Sequence, residues 1–99
     1  MVIIANMSYP TESAREMPKR FMEQPPLPAY ITMKGPYGIF EVGAGIKLIV
    51  IYEFDKSKLS EAYEAIAARC TKYLGVPGLT YSTNIWLEAK EAIKLLGMG

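Results

Sequence analysis

The sequence lacks histidine altogether, and its 99 residues include one cysteine, Cys70, and one tryptophan, Trp86. Without histidine there is no imidazole base, no Ser-His or Cys-His nucleophilic pair, and no histidine ligand for a metal or a haem. A single cysteine excludes an internal disulfide, which fits a reducing compartment. We therefore expect a cytoplasmic protein that uses no metal and no cofactor.

Neither sign of charge is in excess, since eleven basic residues stand against ten acidic ones. Such a chain has no global field that would attract nucleic acid or an anionic membrane. The longest strongly apolar run, from Ile46 to Tyr52, is far too short to span a bilayer and contains Lys47. We expect neither nucleic acid nor a membrane as a partner.

The apolar residues of the chain follow the periodicities of a small α+β domain, and its length suits one domain over residues 1–99. Runs rich in β-branched residues predict strands, and apolar residues at helical spacing predict helices. The predicted elements are strand one (Val2 to Met7), helix one (about Thr11 to Glu23), strand two (Ala29 to Val42, bent at Gly35-Pro36), strand three (Ile46 to Phe54), helix two (apolar from Leu59 to Leu74), strand four (Leu79 to about Ile85) and a short last helix (Glu88 to Leu96).

Three local features of these elements can be checked against a structure. Ser13 and Glu16 have the spacing of a capping box, whereas Pro18 should kink the first helix. The segment Gly43-Ala44-Gly45 is typical of a hairpin turn. With those three residues as the turn, the expected pairs are Val42 with Ile46, Phe40 with Leu48, and Glu41 with Lys47.

The order β-α-β-β-α-β predicts a ferredoxin-like fold with a four-stranded antiparallel sheet. Right-handed crossovers would place strands one and three in the centre and both main helices on one face. Strand three is apolar on both faces. One face, expected to meet the helices, carries Ile46, Leu48, Val50, Tyr52 and Phe54, and the other carries Ile49 and Ile51 at its centre. The face without helices would expose a larger apolar patch than monomers usually carry, which predicts a homodimer.

The chain resembles the dimeric α/β-barrel superfamily over its whole length. The resemblance rests on the proline-rich link from Pro25 to Pro28, on Tyr52-Glu53-Phe54-Asp55 leading into an amphipathic helix, and on the short helix after Leu87. It is closest to small members without an assigned function. The resemblance implies ferredoxin-like subunits that pair their sheets face to face.

One branch of this superfamily contains haem-degrading and cofactor-free monooxygenases, and it carries an asparagine late in strand one. Asn6 matches that position. The chain departs from the branch because it has no histidine, and because Trp86 does not align with the branch's tryptophan. The resemblance therefore does not extend to haem degradation.

The candidate ligand-binding residues are Asn6, Tyr37, Glu53, Tyr81 and Trp86. We expect Lys47, Ile49, Ile51 and Glu53 to face the space between paired sheets, with Tyr37 opposite Ile51. Glu53 is the only plausible general base, and Asn6 could orient a carbonyl or a bound oxygen. Tyr81 and Trp86 would form an aromatic wall. The alternative for each is a structural role: a satisfied amide, a solvated carboxylate or a packed ring.

The leading functional hypothesis is a homodimer that binds a small apolar or aromatic molecule in a sheet-face cavity. One alternative is a non-catalytic regulatory or interaction module, either effector-sensing or structural with no ligand. Another is a cofactor-free, monooxygenase-like enzyme. The residues alone do not decide whether the chain is an enzyme.

Overall fold

The fold is known from a computed structural model, which describes residues 1–98. Its elements are β1 (Val2–Tyr9), α1 (Glu16–Met22), β2 (Thr32–Glu41), β3 (Gly45–Glu53), α2 (Leu59–Thr71), β4 (Thr80–Trp86) and α3 (Ala89–Leu95). The four strands form one antiparallel sheet in the order β2-β3-β1-β4. The predicted α+β class, the antiparallel sheet and the central position of β1 and β3 are confirmed, and the order is compatible with a ferredoxin-like arrangement.

The hydrophobic core lies between the helices and one face of the sheet. On β1 the odd-numbered residues Ile3, Ala5, Met7 and Tyr9 are all buried. Their partners across the ladder to β3 are Tyr52, Val50, Leu48 and Ile46, of which all but the half-buried Leu48 are buried as well. Because side chains alternate between the faces of a strand, the even-numbered residues of β1 point to the other side. The expectation that the more apolar side of β3 meets the helices is confirmed.

The predicted first helix is divided into two pieces, so that Pro18 does not lie in the interior of a helix. The chain forms a 3₁₀ turn at Thr11–Ser13 and begins α1 at Glu16. Pro18 consequently lies in the first turn, where a backbone N–H has no helical partner anyway. The predicted kink is wrong, and so is the capping box: the Ser13 hydroxyl donates to the Pro77 carbonyl at 2.7 Å, while Glu16 pairs with Arg20.

The apolar stripe of α2 is narrower than its sequence predicts. Ala62 and Ile66 are buried, whereas Tyr63 and Leu74 are exposed. Arg69 is buried instead: its Nη1 donates to the Pro25 carbonyl at 2.8 Å and its guanidinium lies 5.8 Å from the centre of the Phe21 ring. Arg69 thus connects the proline-rich link to α2. The sequence does not predict this role, because a charged residue is ordinarily expected at the surface.

Asp55 begins the segment that leads into α2. Its carboxylate accepts a hydrogen bond from the backbone N–H of Ser57 at 2.9 Å, in a 3₁₀ turn at Lys56–Lys58. Hydrogen bonding with the Ser57 side chain, and with its backbone N–H, lowers the pKa of Asp55. Asp55 therefore caps the 3₁₀ turn, while α2 itself begins at Leu59.

The hairpin between β2 and β3 differs from the predicted register by two residues. Phe40 pairs with Ile46, Gly38 with Leu48, and Glu41 with Gly45, so that the turn is Val42 to Ala44. Gly45 belongs to β3 and lies against β1, where a Cβ would overlap the Tyr9 carbonyl oxygen. A shift of two residues leaves every side chain on its predicted face.

The second face of the sheet is bare. The molecule measures 48 × 29 × 17 Å, a thickness that suits one sheet and one layer of helices. Helix α3 has no buried residue and therefore supplies no second layer. Within residues 1–98, no helix is long and apolar enough to cross a bilayer.

Candidate functional site

The uncovered side of the sheet, here called the open face, carries a regular grid of side chains. It is built from alternate residues of all four strands. Read from β4 to β2, its rows are Trp86, Val2, Glu53 and Thr32; then Asn84, Ile4, Ile51 and Lys34; then Ser82, Asn6, Ile49 and Tyr37; and finally Thr80, Ser8, Lys47 and Ile39.

The apolar residues of this grid form one continuous band across the face, here called the apolar diagonal. It starts at one corner, on β4, and ends at the opposite corner, on β2. Its members are Trp86, Val2, Ile4, Ile51, Ile49, Tyr37 and Ile39. The side chains at its two ends are widely accessible, with 53% of Trp86 and 56% of Ile39 exposed. Such a continuous band differs from the scattered single apolar residues that protein surfaces ordinarily carry.

Asn6 and Glu53 share the open face, but they lie far apart on it. Asn6 pairs with Ile49 and Glu53 pairs with Val2, so their rows are four positions apart along β1. At the rise of a β-strand this is roughly 13 Å. Tyr37 pairs with Ile49 and not with Ile51, which corrects the expected position and brings Tyr37 into the row of Asn6. The cause is the bulge at Gly35 and Pro36, two residues that together oppose Val50 alone.

Glu53 is held by an ion pair that the sequence reading missed. Its Oε1 lies 2.6 Å from the Nζ of Lys34. The residue directly opposite Glu53 is Thr32, so Lys34 is its diagonal neighbour on β2. The hydrogen bond from Lys34 to Glu53 raises the pKa of the lysine. The carboxylate would have to leave this partner before it could act as a general base.

Lys47 and Glu41 form the ion pair that the sequence predicts, but as diagonal neighbours. Their Nζ and Oε2 atoms are 3.2 Å apart, although Lys47 lies directly opposite Ile39. Diagonal positions on a sheet are within reach of long side chains. The predicted contact is confirmed, whereas the direct pairing used to predict it is wrong.

The expected aromatic wall does not exist on the open face. Trp86 pairs with Val2 and lies on that face, but Tyr81 pairs with Met7 and therefore points to the helix side. The two residues are five positions apart, and an odd number of positions along a regular strand places side chains on opposite faces. Of the five candidate residues, the open face carries Asn6, Tyr37, Glu53 and Trp86.

Asn6 belongs to a corner of short polar side chains, here called the polar block. The block consists of Asn6 and Ser8 on β1 and of Thr80 and Ser82 on β4. With Lys47 beside it, it lines a shallow depression of about 370 Å³. All four members of the block are uncharged and can donate and accept hydrogen bonds.

A second concavity lies on the helix side and was not foreseen from the sequence. This crevice has a volume of about 210 Å³. Its lining is almost wholly apolar and consists of Met7, Tyr9, Met17, Pro18, Phe21, Met22, Pro36, Leu48 and Tyr73. Burial raises the pKa values of Tyr9 and Tyr73. Apolar periodicity does not reveal it, because it predicts a first helix from about Thr11 to Glu23, whereas α1 spans only Glu16–Met22.

Cys70 is half-buried, and burial raises the pKa of its thiol. Within residues 1–98, no three histidine, cysteine, aspartate or glutamate side chains come close enough together to hold a metal ion. Comparison with family models, curated proteins and solved structures found no match for this chain.

Proposed function

We propose that this chain is a homodimeric binding protein of the dimeric α/β-barrel type, in which two open faces pair and hold a small apolar or aromatic molecule between them. The observation that carries the proposal is the apolar diagonal, which crosses four strands of a face that no helix covers. Burial of this band from water would favour association. A two-fold partner would supply the second layer that a ferredoxin-like sheet needs.

The shape of the single chain supports pairing. Its radius of gyration is 15.2 Å. A compact domain of about 100 residues has a radius of gyration of roughly 13 Å. The excess reflects the long and flat shape of the molecule, and a flat molecule gains most from a partner on its bare side.

The charges of the open face indicate that the bound molecule is neutral. Lys47 and Glu53 are both engaged in ion pairs, with Glu41 and Lys34 respectively. The polar block offers only uncharged hydrogen-bonding groups. A ligand with an apolar or aromatic body could lie along Ile4 and Ile49 and place one neutral polar group at Asn6.

The same geometry favours binding over catalysis. An acid–base mechanism needs its groups within hydrogen-bonding reach of one reacting atom. Asn6 and Glu53 are roughly 13 Å apart along the strands, and the Glu53 carboxylate is occupied by Lys34. The monooxygenase-like alternative therefore has less support than a binding function.

Sedimentation equilibrium tests the pairing of open faces. Ile39→Lys places a charge at an exposed end of the apolar diagonal and should not disturb the monomer fold. It should weaken dimerisation by at least about tenfold, because the lysine would have to be desolvated at the interface. The matched control is Leu74→Lys, an exposed leucine beyond the end of α2. Equal masses for the two variants and the wild type would refute pairing through this face.

Amide chemical shifts in an NMR titration test the ligand site. Benzamide combines an aromatic ring with a neutral polar group, whereas benzoate carries a charge. Benzamide should shift the amides of Asn6, Ser8 and Ser82, and Asn6→Leu should weaken its binding by about tenfold because one hydrogen-bonding group is lost. Thr32→Val, the control, alters a polar residue at the far end of the same face. Stronger binding of benzoate, or an equal loss in both variants, would contradict the proposal.

The crevice on the helix side supports a second candidate site. Its apolar lining would suit a molecule with no polar group, such as toluene, since water finds no hydrogen-bonding partners there. In the same titration, toluene shifts confined to residues around Met17, Phe21 and Leu48 would favour this candidate. Shifts confined to the open face would eliminate it.

A further inference from the structure

The two outer strands of the sheet are protected very differently. The outer strand β2 carries Lys34 and Glu41, and the bulge at Gly35 and Pro36 interrupts its ladder. Charges, prolines and bulges are the means by which proteins keep a sheet edge from pairing with another chain. The outer strand β4, Thr80–Trp86, contains no charge, no proline and no register shift along its seven pairs with β1.

The composition of β4 strengthens this contrast. Five of its seven residues are threonine, tyrosine, isoleucine or tryptophan, which are the types enriched in strands. All of its residues are exposed except Thr83, which is half-buried. A regular, uncharged and accessible edge presents unpaired N–H and C=O groups and is a ready template for another strand.

From this asymmetry we infer that β4 pairs in antiparallel fashion with β4 of a second copy of this chain, centred on Thr83. The two sheets would join into one of eight strands. In this register Thr83 opposes Thr83 of the second copy, Tyr81 opposes Ile85, Ser82 opposes Asn84, and Thr80 opposes Trp86. Pairing is isologous, as a two-fold axis requires.

The side chains of β4 suit this arrangement on both faces. A threonine pair and an aromatic residue opposite a β-branched one are among the favourable cross-strand pairs. No like charges meet, because the strand has none. Centring the axis on Ser82 or Asn84 would shorten the ladder from seven residue pairs to five, so the register on Thr83 makes the fullest use of the strand.

The edge contact uses backbone groups that the pairing of open faces leaves free. A two-fold axis perpendicular to the sheet keeps both open faces on the same side, so each could still receive its own partner. Together the two contacts would build an assembly of four chains. The edge contact therefore goes beyond the proposed function and can be tested separately from it.

A charge-pair experiment tests the register. The double variant Tyr81→Lys with Ile85→Lys places lysines opposite each other across the two-fold axis, which should weaken edge pairing by at least about tenfold. The matched double variant Tyr81→Lys with Ile85→Glu places opposite charges at the same positions and should restore pairing. Both side chains lie on the face opposite the open face and are exposed, so neither variant adds a charge to the open face.

Sedimentation equilibrium is measured for both double variants in the Ile39→Lys background, where pairing of open faces is weakened. The expected result is a dimer for the background and for the lysine–glutamate variant, and a monomer for the lysine–lysine variant. A monomeric background, or equal masses for the two double variants, would overturn the inference. Neither outcome would affect the pairing of open faces, which is tested separately by comparing the masses of the single variants Ile39→Lys and Leu74→Lys.

Discussion

Ile3 and Ile4 are neighbours in β1, yet they lie in different environments. Ile3 is 0% exposed beneath the helices, whereas Ile4 is half-buried on the open face. The two faces of the central strands contain similar apolar residues, but this chain supplies a cover for only one of them. The contrast shows that apolar residues along a strand do not by themselves tell whether their face packs against the helices of the same chain.

The helices cover the face with fewer polar interruptions. On that side β3 contributes Ile46, Val50 and Tyr52, all buried. The other side of β3 carries Lys47 and Glu53 at its two ends. Charged side chains can be fully buried only when they are paired, so the face that bears them is the one left towards solvent or a partner.

The largest expected effect comes from truncating the two isoleucines separately. Ile3→Ala should lower the free energy of unfolding by about 2–5 kcal/mol, because it opens a cavity in a packed core. Ile4→Ala should cost about half of that or less at low protein concentration, since much of its surface change involves water. Urea titrations of both variants and the wild type measure the difference.

Protein concentration sharpens this comparison. If the open face is buried in a dimer, the cost of Ile4→Ala should grow as the concentration rises, because the side chain then loses contacts with a partner. The cost of Ile3→Ala should change little. A cost of Ile4→Ala that is the same at all concentrations would show that Ile4 meets no partner.

A smaller contrast is expected between two basic residues on the two sides. Arg69→Ala should cost about 1–3 kcal/mol, because the Pro25 carbonyl loses its donor and the Phe21 ring loses a packing partner. Lys47→Ala should change stability by about 0.5 kcal/mol or less, since its ion pair with Glu41 is solvent-exposed. Thermal unfolding of both variants checks this ranking, and equal losses would contradict it.

The smallest effect concerns alkaline pH and arises on the helix side. Burial raises the pKa of Cys70 and those of Tyr9, Tyr52 and Tyr73 in the folded state. The unfolded chain then loses these protons first, beginning near pH 8.5 for the thiol and near pH 10 for the phenols. Stability should therefore fall as the pH rises above about 8.5.

Cys70→Ala separates the thiol from the tyrosines. This variant should lose less stability than the wild type between about pH 8.5 and pH 10, because its unfolded state has no thiol to ionise. Urea titrations at several pH values provide the measurement. Parallel curves for the variant and the wild type in that range would show that the Cys70 thiol does not contribute.

Periodicity was sufficient to predict the faces of β3. The alternation along that strand correctly placed Ile49 and Glu53 on the uncovered side, whereas β1 is apolar on both sides, so that its pattern left the face of Asn6 open. The register of the hairpin was not predictable, because it depends on Gly45 lying against the Tyr9 carbonyl, a contact between segments distant in sequence. Since the error was an even number of residues, the face assignments survived it.

The site itself was only partly predictable. The position of Tyr37 depends on where the bulge at Gly35 and Pro36 falls, and a bulge leaves little trace in the pattern of apolar residues. The assignment of Tyr81 and Trp86 to one wall was avoidable, since their odd separation already excludes it. The Lys34–Glu53 ion pair requires the strand register and could not be read from spacing.

The central claim is that a second copy covers the open face, and Trp86 reports on it directly. It is the only tryptophan of the chain, it lies on that face, and 53% of it is exposed in the single chain. The decisive measurement is acrylamide quenching of its fluorescence as protein concentration rises, in the Tyr81→Lys, Ile85→Lys background that lacks the edge contact of β4, read beside the mass from sedimentation. The account predicts that quenching decreases in step with dimer formation, and that Ile39→Lys shifts both curves together to higher concentration. Quenching that stays constant while the mass remains that of a monomer would contradict it.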